Sequence, residues 1–241
     1  MDTSNGNTFS PDEPMLTAIE ARVLGALMEK QLVTPEAYPI TLNSLVLACN
    51  QKTSREPISN YEQGELQRCT SQLQDKGWIN VDYSSRAARF DQRLTRALSL
   101  DKATQALLCV MLLRGPQTLA ELVTRTQRMF DFENTKAVEE KIENLCAKST
   151  PYFVRIPRVA NQREDRYMHL LCGKPDLDAI AAMVSSSSST AKSNAHIDDD
   201  RVVQLEHKIS VLEDQVLHLQ KQIKVLMELN GVSEADVDSE H

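Results

Sequence analysis

The residue types that most often carry enzyme chemistry are thin in this chain of 241 residues. One histidine, His169, falls in the part that reads as globular; His196, His207, His218 and His241 all lie in the C-terminal tail. The seven glycines never cluster, so no phosphate-cradling loop is written. The five cysteines (Cys49, Cys69, Cys109, Cys146 and Cys172) are scattered, odd in number and include no C-x-x-C pair. Reduced thiols, buried in or beside helices, are expected from that pattern. His169 and Cys172 have the spacing of two metal ligands, but no second pair accompanies them. These absences predict a protein that is not an enzyme, holds no metal and uses no cofactor. No apolar run reaches the roughly 18 residues of a membrane span, and no positively charged leader precedes an apolar stretch. The expectation is a soluble, cytoplasmic protein with no membrane partner.

Acid is concentrated in the tails. The net charge is −7, yet residues 17–97 carry 10 basic and 9 acidic groups, and residues 98–175 carry 12 and 9. Residues 176–241 carry 5 basic against 13 acidic groups. A mildly basic body permits nucleic-acid binding without demanding it.

What the chain does contain is one unit written twice. Thr41-Leu42-Asn43-Ser44-Leu45-Val46 and Thr118-Leu119-Ala120-Glu121-Leu122-Val123 share the spacing Thr-Leu-x-x-Leu-Val. Each follows an apolar helix (Ile19, Val23, Leu27; then Leu107, Leu108, Met111, Leu112). Each precedes a polar helix with apolar residues seven apart (Leu66 and Leu73; Val138 and Leu145) and then two short strand-like runs. Capping boxes at Thr17-x-x-Glu20, Ser59-x-x-Glu62 and Thr118-x-x-Glu121 set helix starts, and Gly77 and Gly115 set helix ends. Residues 33–40, with Pro35 and Pro39, should form a loop. Residues 78–83 alternate like a half-buried strand, with its partner at 89–94; the second pair falls at 152–156 and 166–171. Three helices and a hairpin, repeated at roughly 75 residues, read as two tandem winged helix-turn-helix domains, residues 15–97 and 98–173. The fold class is therefore mainly α with small β-hairpins (α+β). Residues 1–14 read as disordered.

Beyond Cys172 the composition changes. Residues 174–198 read as a Ser-rich linker containing a candidate short helix at 175–184. Over 199–230, Val202, Ile209, Val216 and Ile223 recur every seven residues, and Leu205, Leu212, Leu219 and Leu226 recur on the interleaved position. β-Branched residues at a with Leu at d favour a parallel two-stranded coiled coil, which predicts a homodimer. The alternative is an amphipathic helix folded back on its own body, although so narrow a stripe favours a helical partner. Residues 231–241 read as an acidic disordered tail.

The stretch Tyr38-Pro-Ile-Thr-Leu-Asn-Ser-Leu, continuing as Ala48-Cys-Asn-Gln-Lys-Thr-Ser-Arg-Glu-Pro57, resembles the signature of the YceH family of bacterial proteins. The resemblance covers about residues 14–173. It implies a tandem winged-helix fold, in agreement with the repeat, and implies no reaction, ligand or cofactor.

The candidate function therefore rests on surface chemistry. In the third helix, Leu66, Cys69 and Leu73 mark a core side, leaving Asn60, Gln63, Gln67, Arg68, Ser71 and Gln74 outside. Long amides and arginine at helical spacing suit base-edge and phosphate contacts. Lys52 and Arg55 in the preceding turn, and Arg86 and Arg89 at the first wing, complete the candidate nucleic-acid site. Glu62 and Glu65 on the same helix fit an ordinary solvated face instead, and Asn50, Lys52 and Arg55 could simply brace the turn. The third helix of the second unit exposes Lys136, Glu139, Glu140 and Glu143, which would repel phosphates. Its hairpin offers Arg155, Arg158, Arg163 and Arg166. Two hypotheses stand: a dimeric regulator contacting double-stranded DNA through the first unit, and a scaffold whose winged helices dock a protein partner. Salt separates them, because DNA affinity must fall steeply with ionic strength.

Overall fold

The structure, a computed structural model, describes residues 14–84, 87–158 and 164–177, with residues 211, 215, 216 and 222. The chain divides into two units, 1–192 and 193–241, and the elements below belong to the first. In the second, Val211, Gln215, Val216 and Gln222 are helical. Val202, Leu205, Ile209, Leu212, Leu219, Ile223 and Leu226 lie outside the described residues, as do most of the expected linker and the acidic tail. The described residues form an α+β arrangement of helices and small antiparallel sheets.

Helix α1 (Ala18–Val33) starts where the sequence places it: Thr17 and Glu20 form the reciprocal capping box. Residues 20–28 are all buried, so this helix lies inside the molecule. The expected loop contains one turn of 3-10 helix (Pro35–Ala37) and a two-residue strand β1 (Ile40–Thr41) that sequence reading missed. Helix α2 (Leu42–Cys49) begins with the Thr41 hydroxyl accepting the Ser44 N–H at 3.3 Å. Helix α3 (Gln63–Asp75) starts three residues later than a cap at Ser59 predicts. Its cap is Glu62, paired reciprocally with Glu65, while the Ser59 hydroxyl accepts from Arg22 and donates to Cys49 O, each at 3.0 Å. Gly77 (φ +73) supplies the left-handed residue that ends the helix and turns the chain into β2 (Ile79–Asp82). Strand β3 (Arg89–Gln92) returns beside it, and the sheet order is β1-β3-β2. Phe90 is the register point, opposite both Ile40 and Val81. A single helical turn, α4 (Leu94–Ala97), closes the first repeat.

The second repeat follows the same order. Asp101 caps α5 (Lys102–Arg114), and the Thr118–Glu121 box caps α6 (Leu119–Thr126). Asn134 caps α7 (Thr135–Cys146), and β4 (Phe153–Ile156) pairs with β5 (Arg166–His169). The duplicated Thr-Leu-x-x-Leu-Val motif thus has one physical meaning in both copies. The threonine caps a helix, and the leucine four positions on, Leu45 or Leu122, points into the core with no exposed surface.

The two repeats share one continuous apolar cluster. Its centre is the packing of α1 on α5, where Gly25 permits unusually close approach. A Cβ at Gly25 would lie 2.9 Å from Leu113 side-chain atoms, and Cys109 Sγ donates to Gly25 O at 3.4 Å. A strap ties the start of the body to its far end: Leu16 N–H donates to Leu171 O at 2.9 Å. Cys49, Cys69 and Cys109 are buried, Cys146 and Cys172 half-buried, and all five are free thiols.

Candidate nucleic-acid interface

Helix α3 separates its two faces cleanly. Leu66 and Leu73 have no exposed surface and Cys69 has 3%. Gln63, Gln67, Arg68, Ser71 and Gln74 are exposed, and positions 63, 67, 71 and 74 fall in one row along the helix. The Ser71 hydroxyl donates back to Gln67 O at 3.1 Å, which leaves the amides and Arg68 as the free polar reach of this face. Asn60, three residues before the helix, and Lys52, in the turn that follows α2, are exposed. The start itself is acidic, with Glu62 N–H donating to the Glu65 carboxylate at 2.8 Å.

Arg55 does not belong to this surface. Its side chain has no exposed area and pairs with Glu29 at 2.5 Å. It also donates to Ala48 O at 2.9 Å, Ser54 O at 2.9 Å and Gln51 Oε1 at 2.7 Å. Arg22, 4% exposed, donates to Cys49 O, Pro57 O and Ser59 Oγ. Together the two guanidiniums close the carbonyl end of α2, where a helix favours positive charge. Burial would raise the Glu29 carboxyl, but the charge and hydrogen bonds of Arg55 outweigh it and hold Glu29 below the usual range. Burial pushes the Cys49 thiol up to about 12, against the pull of Arg55 and Arg22. Asn50 clasps Tyr61 from both sides, donating to its carbonyl and accepting its N–H at 2.8 Å each. The 48–57 signature is thus largely a brace, and Lys52 is its exposed cation.

At the first hairpin, Arg89 is exposed and donates to Pro39 O at 2.8 Å. Arg86 lies outside the described residues. Tyr83, at the end of β2, is 70% exposed. Trp78 is 6% exposed, with Lys76 Nζ 5.4 Å from its ring centroid, and so belongs to the core.

The second repeat spends its hairpin arginines internally. Arg155 pairs with Asp165 at 2.5 Å and Glu143 at 3.2 Å, and Arg166 pairs with Glu121 at 2.8 Å. Tyr167 donates its hydroxyl to Glu143 at 2.7 Å. An open groove of about 610 Å³ lies between α6, α7 and this hairpin, lined among others by Leu119, Thr135, Glu139 and Arg155. Arg163 lies outside the described residues. His169 is buried at 3% exposure with its Nδ1 unpartnered among the described residues, and burial pushes its pKa down to about 4. No group of three potential metal-ligating side chains assembles among the described residues. No helix of the described residues is long and apolar enough to cross a membrane.

Sequence reading missed the buried Arg22 and the half-buried Glu29 that pairs with Arg55. The available signal was an arginine inside the apolar run Ala21-Arg22-Val23-Leu24, a place where only a partnered cation is tolerated.

The repeat architecture and its braced α2–α3 turn define a class of protein that comparison with known sequences resolves to a family. Residues 16–162 match the family model described as "Protein of unknown function, DUF480". A UPF0502 protein of Cellvibrio japonicus (strain Ueda107) is 62% identical over 218 residues, spanning 90% of this chain and 97% of the relative. UPF0502 proteins of Stenotrophomonas maltophilia (strain K279a) and Pseudomonas fluorescens (strain Pf0-1) are each 44% identical over 211 residues, spanning 87% of this chain and 96% of the relative. The chain belongs to this DUF480/UPF0502 family, in agreement with its YceH-like signature.

Proposed function

We propose that this is a non-enzymatic, dimeric, cytoplasmic protein that contacts double-stranded DNA through its first repeat. Each repeat is read as a winged helix, with α3 as the groove-facing helix and the β2–β3 hairpin as the wing. The observation that carries the reading is the outward face of α3. It presents a row of long amides beside Arg68, which makes no ion pair among the described residues. Amides and arginine can meet base edges and phosphates from one helix face. Ser71 lies in that row; Lys52, Asn60 and Arg89, exposed in the turn before α3 and on the hairpin, are read as parts of the same site, and Arg86 joins them from the sequence. The heptads at 199–230 are read as a parallel coiled coil joining two copies. Val216, an a-position residue, is helical and 51% exposed, and a partner helix would cover it.

The second repeat favours a second reading, a scaffold that docks a protein. Its hairpin arginines Arg155 and Arg166 are already neutralised by Asp165, Glu143 and Glu121, so little charge remains there for phosphates.

The test is fluorescence anisotropy of labelled duplex DNA at about 50 and 200 mM salt. Binding should weaken with salt, and Arg68→Glu should lower affinity and reduce the log–log salt slope by about 1. Absence of binding, or binding indifferent to salt and to Arg68, favours the scaffold. Light scattering on Ile209→Asp should give a monomer, since that substitution sets an unpaired charge in the seam.

A further inference from the structure

Three glutamine side chains meet where the first hairpin touches the joint between the repeats. Gln92 at the end of β3 and Gln105 on α5 are 4% and 5% exposed. Both donate from Nε2 to one acceptor, Gln31 Oε1 on α1, at 2.7 and 2.8 Å. Gln92 Nε2 also donates to Thr95 Oγ1 at 2.9 Å, and Gln92 Oε1 accepts the Thr95 N–H at 3.0 Å. The Gln92 backbone N–H donates to the Tyr38 hydroxyl oxygen at 2.6 Å.

Leucines here would give a stable apolar joint. Buried amides instead cost free energy unless each finds a partner, so a satisfied network selects one arrangement rather than adding bulk stability. An amide oxygen has two lone pairs, and the two donors use both on Gln31. The same atom therefore serves the hairpin of the first repeat and the first helix of the second. It can serve both only while α5 is docked on α1.

We infer that Gln105 is a positioning residue: through Gln31, the second repeat holds the β3 end of the first hairpin in the pose in which β2 packs on α3. The second repeat is then more than a passive copy. It sets the geometry of a surface to which it contributes no contact residue. The consequence for DNA rests on the reading of α3 and its hairpin as the binding face; the pose itself does not.

Hydrogen–deuterium exchange on the full chain tests the pose directly. Gln105→Met keeps an unbranched side chain of similar length and removes the donor. The amides of Ile79–Asp82 and Arg89–Gln92 should exchange about fivefold faster, the net worth of one hydrogen bond. Those of Phe153–Ile156 and Arg166–His169, in the second hairpin, should be unchanged. Gln31→Met removes the acceptor of both donors and should exceed the effect of Gln105→Met at the same amides. An unchanged first hairpin, or equal acceleration in both hairpins, overturns the inference. Duplex anisotropy supplies the second arm. If the wild type binds, Gln105→Met should bind more weakly, by at most about the same fivefold. Unchanged affinity in that case overturns the consequence for DNA, and the pose stands or falls on the exchange result. A wild type that binds no DNA removes the DNA reading and leaves the exchange result to decide.

Discussion

Between pH 7 and pH 5 the protein should lose about 2 kcal/mol of stability because of His169 alone. The imidazole is 3% exposed, has an Nδ1 with no partner among the described residues, and is held neutral down to about pH 4 by burial. In the unfolded chain it titrates near its ordinary value of about 6.5. Between those two values the unfolded state binds a proton that the native state does not, so stability falls as pH falls. It should level off, for this group, below about pH 4. The carboxylates held low by partners, Glu29 and Asp101 among them, contribute at lower pH than this window. The assay is urea unfolding followed by the fluorescence of Trp78, the sole tryptophan, at pH 5, 6 and 7. His169→Leu should remove most of the slope. An undiminished slope in the variant, or an NMR midpoint for folded His169 near 6.5, would refute the reasoning.

Two further outcomes are expected. Trp78→Ala should destabilise the protein by about 3–5 kcal/mol, because the indole is 6% exposed in the core; circular dichroism in urea measures it, and a loss below about 1 kcal/mol contradicts core placement. Arg55→Met should cost about 3 kcal/mol by stranding the Glu29 carboxylate, the low end for a buried pair since Glu29 keeps 16% exposure. Adding Glu29→Gln should recover part of that loss, and a double variant as unstable as the sum of the singles would show the two side chains act independently.

Local chemistry was legible because it needs only neighbours. Thr17, Thr118 and their glutamates cap helices as their spacing predicts, and Gly77 turns the chain where a left-handed residue is required. The face of α3 was legible for the same reason, since Leu66, Cys69 and Leu73 leave the amides no direction but outward. The failures are long-range. Ser59 carries a valid capping spacing, but Cys49 O and Arg22 claim its hydroxyl from 10 and 37 residues away. Arg55 sits in a polar turn and reads as solvent-exposed, yet Glu29, 26 residues earlier, draws it inside. β1 is too short to declare itself and exists because β3 supplies its partner.

The bond from Leu16 to Leu171, together with the packing of α1 on α5, bears on how the chain is made. As the first repeat leaves the ribosome, α1 has one side waiting for a helix not yet synthesised. That apolar side stays open until residues 102–114 emerge, and the strap cannot close until residue 171 does. The repeats are similar in sequence but share one apolar cluster, so they are expected to complete their folding together. A truncation after residue 97 should therefore need a chaperone or a solubilising fusion, even though it contains every residue of the α3 face.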